Sequence, residues 1–119
     1  MIKAYKIFTG GDGHSHVIEG SVLDNELTNA RSISFRVTPP YSSYDWHPAP
    51  TIQYVITLSG TLEFTMNSGK TFIVKPGEIL IAMDTTGTGH RWRIIDDQPW
   101  KRTYVTFDEN QPINFSPDM

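Results

Sequence analysis

Apolar and polar residues alternate along much of this chain with a period of two, and nowhere with a helical period. From Arg31 to Thr38, Ile33, Phe35 and Val37 fall on one side, and Ser32, Ser34 and Arg36 on the other. That is the pattern of a half-buried strand, stopped by Pro39-Pro40. Leu62, Phe64 and Met66 oppose Glu63 and Thr65; His90, Trp92 and Ile94 oppose Arg91 and Arg93. Ile52 to Leu58 is apolar on both sides, as a strand covered on two faces would be. Phe72–Val74 and Ile79–Met83 are short continuous apolar runs, Trp100–Phe107 is a last strand and Ala4–Phe8 a first.

Turns separate these runs. Gly10-Gly11-Asp12-Gly13, Ser59-Gly60, Asn67-Ser68-Gly69-Lys70, Lys75-Pro76-Gly77-Glu78 and Asp84 to Gly89 all carry turn chemistry. His14 to Glu19 predicts a short edge strand or a flexible segment, and Asp24 to Ala30 has room for a helical turn only. Eight or more short strands between turns indicate an all-β sandwich or a closed barrel; periodicity does not choose between them.

The length of 119 residues suits one domain over 1–119, with a core of about 31–107, N-terminal strands within 4–19 and a surface tail at 108–119. A net charge of −3 argues against nucleic acid and anionic membranes as partners. There is no cysteine, hence no disulfide and no thiolate metal site. No apolar run approaches the roughly 18 residues of a bilayer span, and Met1 to Lys6 has no signal-like core, so a cytoplasmic protein is expected.

Two histidines, His47 and His90, stand at the two ends of the most strongly patterned stretch. Its residues resemble the two-motif signature of the cupin superfamily, G-x5-H-x-H-x3,4-E-x6-G followed by G-x5-P-x-G-x2-H-x3-N. His47 and Gly60 match the first motif, and Gly87 and His90 the second. The remaining positions depart from it: Tyr41, Ala49 and Gln53 in the first motif, Ile79, Thr85 and Ile94 in the second. The run Trp46-His47-Pro48-Ala49-Pro50, with Gln53, Leu58-Ser59-Gly60 and Asp84-Thr85-Thr86-Gly87-Thr88-Gly89-His90, is also similar to a group of small single-domain bacterial cupins. The resemblance implies a cupin double-stranded β-helix, or jelly-roll barrel, with His47 and His90 in one cavity, and it adds a homodimer.

Cupin metal sites use three histidines and a glutamate, so the resemblance implies a divalent metal, Zn, Fe, Ni or Mn. Here Ala49 has no donor and Gln53 offers only a neutral carbonyl oxygen. The set is thus reduced to His47, Gln53 and His90, unless Asp84 or His16 completes it. The alternative needs no metal: His47 and His90 transfer protons, in an isomerase or lyase, and Gln53 orients a small molecule. A non-enzymatic binding cupin is the third reading. Trp92 and Trp46 are candidates to stack on a ligand or form the pocket rim, and Arg36 to clamp a ligand carboxylate. Arg91, Arg93, Lys101 and Arg102 read as a surface of mixed charge with Glu63, Asp96 and Asp97. Only one face of Ile52 to Leu58 can line a barrel, so Tyr54, Ile56 and Leu58 need other cover. That predicts a homodimer built on apolar strand faces, with the strand Ala4 to Phe8 as a further element; the alternative is a monomer whose own N-terminal strand and tail cover that face.

Overall fold

A computed structural model describes residues 1–119. The chain forms eleven strands and no helix: β1 (Ile2–Thr9), β2 (Ser15–Val22), β3 (Ala30–Thr38), β4 (Ser43–His47), β5 (Gln53–Ser59), β6 (Leu62–Thr65), β7 (Thr71–Val74), β8 (Ile79–Met83), β9 (His90–Ile94), β10 (Trp100–Phe107) and β11 (Ser116–Pro117). They make two sheets, one in the order β11-β2-β1-β8-β5-β10-β3 and one in the order β4-β9-β6-β7. Only β1 and β8 run parallel. No helix of the chain is long and apolar enough to cross a membrane.

Alternation assigns the faces. Along β5, Gln53, Val55 and Thr57 point into the space between the sheets, while Tyr54, Ile56 and Leu58 point out. Tyr5, Ile7, Leu62, Phe64, Met66 and Trp92 belong to the inner core. A second cluster, Ala4, Tyr54, Ile79, Ile81 and Phe107, lies on the outer face of the large sheet, with Ile113 and Phe115 of the tail packed against it. The tail is thus a structural element: β11 pairs with β2, and the Asn114 side chain bonds both backbone groups of Leu23. Each large apolar side chain so covered contributes about 1.5–3 kcal/mol.

Four expectations change. β3 forms where the alternation predicts it, but it is the edge of the large sheet, and the tail, which meets it at the Arg31–Asp108 ion pair, does not cover its apolar face. Ile33, Phe35 and Val37 are therefore 62%, 71% and 62% exposed rather than half-buried. β1 is enclosed between β2 and β8, with Ala4 fully buried, so it offers no edge to a second subunit. The stretch from His14 to Glu19 enters an eight-residue strand between β1 and β11, and Asp24–Asn25 is a turn with Asn25 at φ 62°, not a helical one.

Candidate functional site

The antiparallel pairing of β4 with β9 places His47 directly opposite His90. The register slips between Tyr44 and His47: three positions on β4 span the two from Trp92 to His90 on β9. This bulge turns both Tyr44 and His47 inward, although simple alternation would separate their faces. Gly89 permits the close approach. Its φ is +74°, and a Cβ there would lie 2.0 Å from the carbonyl oxygen of His47, so a side chain at 89 would push β4 away. The two imidazole centroids end 4.7 Å apart, although the residues come from opposite ends of the patterned stretch.

Each imidazole is held by its Nδ1. His47 Nδ1–H donates to the backbone carbonyl of Asp45 at 2.7 Å; that oxygen can only accept, which sets the tautomer. His90 Nδ1–H donates to Asp84 Oδ2 at 2.6 Å. Ser15 Oγ donates to the same oxygen, also at 2.6 Å, and Asp84 Oδ1 has no partner. Asp84 is fully buried, and its own carbonyl accepts from Ala49 N–H at 2.9 Å, which ties the approach to β5 to the loop before β9. In both histidines Nε2 is left as the free nitrogen. Burial lowers the His47 pKa below the usual imidazole value; His90 nearby adds to this, while the Asp45 bond and Asp84 oppose it. His47 is therefore neutral at pH 7, with its Nε2 lone pair free.

These groups line a cavity of about 400 Å³ between the sheets. Gln53 also lines it, and its amide makes no hydrogen bond within the protein. Trp92 forms another part of the wall, stacked toward Tyr44 and edge-on to Trp100. Arg36 faces the cavity from β3. Asp84 does not line it but stands behind His90.

Other sequence candidates lie elsewhere. Trp46 is not on the cavity wall: the bulge leaves it on the outer side of β4, 40% exposed, with the Arg91 guanidinium 5.0 Å from its ring. His14 bonds Thr88, and His16 bonds Asp12, so neither extends the pair of imidazoles. Arg102, read from the sequence as part of a charged surface, is 2% exposed and lines the cavity. Its Cα lies opposite Arg36, and its guanidinium stacks 3.7 Å over Trp100. The signal for it was the alternation itself: Trp100, Arg102 and Tyr104 share one face of β10, as Trp100 and Tyr104 both line the cavity. Burial pushes the Arg102 pKa below its ordinary value, the Tyr104 hydroxyl opposes this, and Arg36 adds a smaller downward push.

The chain matches no protein-family model and no curated protein. It is similar to several solved structures. One is an uncharacterized conserved protein with a double-stranded β-helix domain from Klebsiella pneumoniae, with a TM-score of 0.52 and 21% identity over 83% of this chain and 84% of that one. Another is a cupin 2 conserved barrel domain protein from Salinispora arenicola, with a TM-score of 0.52 and 17% identity over 77% and 76%. A third is the cupin domain of Cnp3 from Schizosaccharomyces pombe, with a TM-score of 0.50 and 17% identity over 79% and 72%. Similarity at this level speaks for the fold and for nothing finer. The two facing sheets and these shared backbones identify the chain as a cupin in fold, a double-stranded β-helix.

Proposed function

We propose that this chain is a small-molecule-binding cupin that transfers protons in its cavity, as an isomerase or lyase. The observation that carries this reading is the 2.6 Å bond from His90 to the fully buried Asp84, beside a second imidazole on the same wall. Asp84 holds the tautomer whose Nε2 is free to accept a proton. His47, kept neutral by burial, is the second base. The ring whose Nε2 takes the proton from the ligand returns that same proton, directly or through the neighbouring ring, to an adjacent atom of the ligand, with Gln53 holding a carbonyl or hydroxyl. Incubation of small hydroxy and oxo acids with the protein in D₂O tests this. Deuterium should enter a C–H position of at least one compound, and His90→Gln and His47→Gln should each abolish the exchange. Ligand binding without exchange in the wild type would leave a binding cupin and remove the enzyme.

One observation favours a second reading. Each Nδ1 is taken by an oxygen acceptor, which is how metal-bound histidines are oriented. Gln53 could add a carbonyl oxygen. The full donor set does not fit, however: Ala49 and Gln53 stand where the cupin pattern has histidine and glutamate, and no group of three or more His, Cys, Asp or Glu converges anywhere in the chain. No carboxylate in the set would offset the charge of Zn, Fe, Ni or Mn. We therefore derive no step through a metal.

We further propose a two-fold homodimer through the outer face of β3, β10 and β5. Ile33, Phe35, Val37 and Leu58 are all more than half exposed on that one face, and β3 presents an unpaired strand edge. A second copy offers an equally apolar face and an edge able to pair antiparallel.

A further inference from the structure

The charges on the cavity wall do not balance within the chain. Arg102 spends its donors on neutral acceptors: Nε on the Tyr104 hydroxyl at 2.8 Å, and Nη1 on Thr38 Oγ1 at 2.6 Å and the Trp100 carbonyl at 3.1 Å. Its Nη2 has no acceptor in the protein, and it is not sealed away as a buried unpaired atom would be. Arg36 is the cross-strand partner of Arg102 and lines the same cavity. Neither arginine takes part in any of the chain's ion pairs. Like charges directly opposite on paired strands repel, and a buried cation without an anion is costly. A negative group in the cavity beside the two side chains would offset their charge.

We propose that the cavity binds a small organic monocarboxylate, its carboxylate between Arg102 and Arg36 and its body directed toward His47 and His90. This rests on the reading of the cavity as a small-molecule site; it does not depend on proton transfer. The chemistry of the wall selects the class. A planar carboxylate matches the guanidinium fork. A phosphate dianion would ask for more donors, and this all-β chain has no helix N-terminus to supply them. Nine of the seventeen lining residues are hydrophobic, among them Val55, Phe64 and Leu80, which suits an apolar body behind the acid group. At the far end the carboxylate of Asp84 stands directly behind His90, so a second acid group on the ligand would meet like charge there.

Matched acid and amide pairs separate charge from shape. Titration calorimetry at pH 7.5 would compare acetate with acetamide, lactate with lactamide and benzoate with benzamide, and each with inorganic phosphate. At least one acid should bind tenfold or more tighter than its amide and tighter than phosphate. Arg36→Met, at an exposed position, should weaken that acid fivefold or more and leave the amide unchanged. Arg102→Met should erase the preference; if it fails to fold by circular dichroism, Arg36→Met decides. His90→Gln should keep the preference for acid. Equal binding of acids and amides would overturn the carboxylate and leave the small-molecule cavity standing, and preferred binding of phosphate would overturn the class. Binding of none of them, with no shift of the Trp92 and Trp100 indole signals, would overturn both this inference and the binding site on which it rests.

Discussion

The two walls of the cavity are built by opposite means. On the wall formed by β4 and β9, both imidazoles are anchored inside the protein by Asp45 and Asp84, so the chain itself satisfies their Nδ1 atoms. On the wall formed by β10 and β3, Arg102 and Arg36 are cross-strand partners and neither joins an ion pair of the chain. The first wall is anchored within the chain; the second carries positive charge that no ion pair of the chain offsets. Preorganised groups serve chemistry, because they need no rearrangement when charge develops. In the proposed binding mode, unmatched charges serve recognition, because the ligand carboxylate would supply the missing partner.

The largest effect should come from removing the anchor of the first wall. Asp84→Ala leaves Ser15 Oγ and His90 Nδ1 without their acceptor in the interior. We expect a loss of about 3–5 kcal/mol of stability in urea unfolding, from two hydrogen bonds to a buried carboxylate. A loss below about 1 kcal/mol would break the comparison, because the histidine wall would then stand without its acid.

Next in size is an attempt to convert the first wall into a metal site. Gln53→Glu with Ala49→His restores the donors of the cupin pattern beside His47 and His90. Affinity for Zn and Ni should rise about 100-fold in calorimetric titration, some 2.7 kcal/mol at room temperature. Gln53→Glu alone should show part of that gain. Equal binding by wild type and the double variant would show that the existing donors already suffice.

The back of the arginine wall offers a third test. β3 points Arg36 inward and Phe35 outward, and Phe35 is 71% exposed. In the proposed dimer, Phe35→Ser should weaken association about 30-fold, as removal of a central aromatic contact does, at roughly 2 kcal/mol. Light scattering coupled to size exclusion reads it. A wild type at monomer mass across a wide concentration range would remove the dimer.

The smallest effect is electrostatic. The folded His47 pKa lies below the ordinary 6.5, with burial as the main cause. As pH falls, the unfolded chain takes up this proton first. The stability linked to His47 is therefore complete above about pH 6.5 and is lost as pH falls through the lowered folded value. Melting temperatures between pH 8 and 5 should fall more gently in His47→Gln than in the wild type. Parallel curves would show that His47 is not desolvated by its wall.

Much of the architecture is legible in alternation and turns. The strands around Ile33, Leu62, His90 and Trp100 lie where period-two patterning puts them, and the spacing of His47 and His90 marks a shared site through its resemblance to cupins. The outward place of Trp46 and the inward place of Arg102 depend on strand register, which is not local. A single extra residue in β4 reverses which side Trp46 faces. Alternation puts Arg102 on one face with Trp100 and Tyr104, but only the register of β10 between β5 and β3 turns that face into the barrel.

Sequence alone determined the strand rhythm, the absence of helical segments and the two histidines, because these depend on neighbours along the chain. Tertiary structure decided the rest. Asp84 became the anchor of His90, and Arg36 met Arg102, through pairings between strands distant in the chain. The tail covered Tyr54 but stopped short of Phe35, because the reach of one short segment, not any local pattern, sets which apolar face stays open.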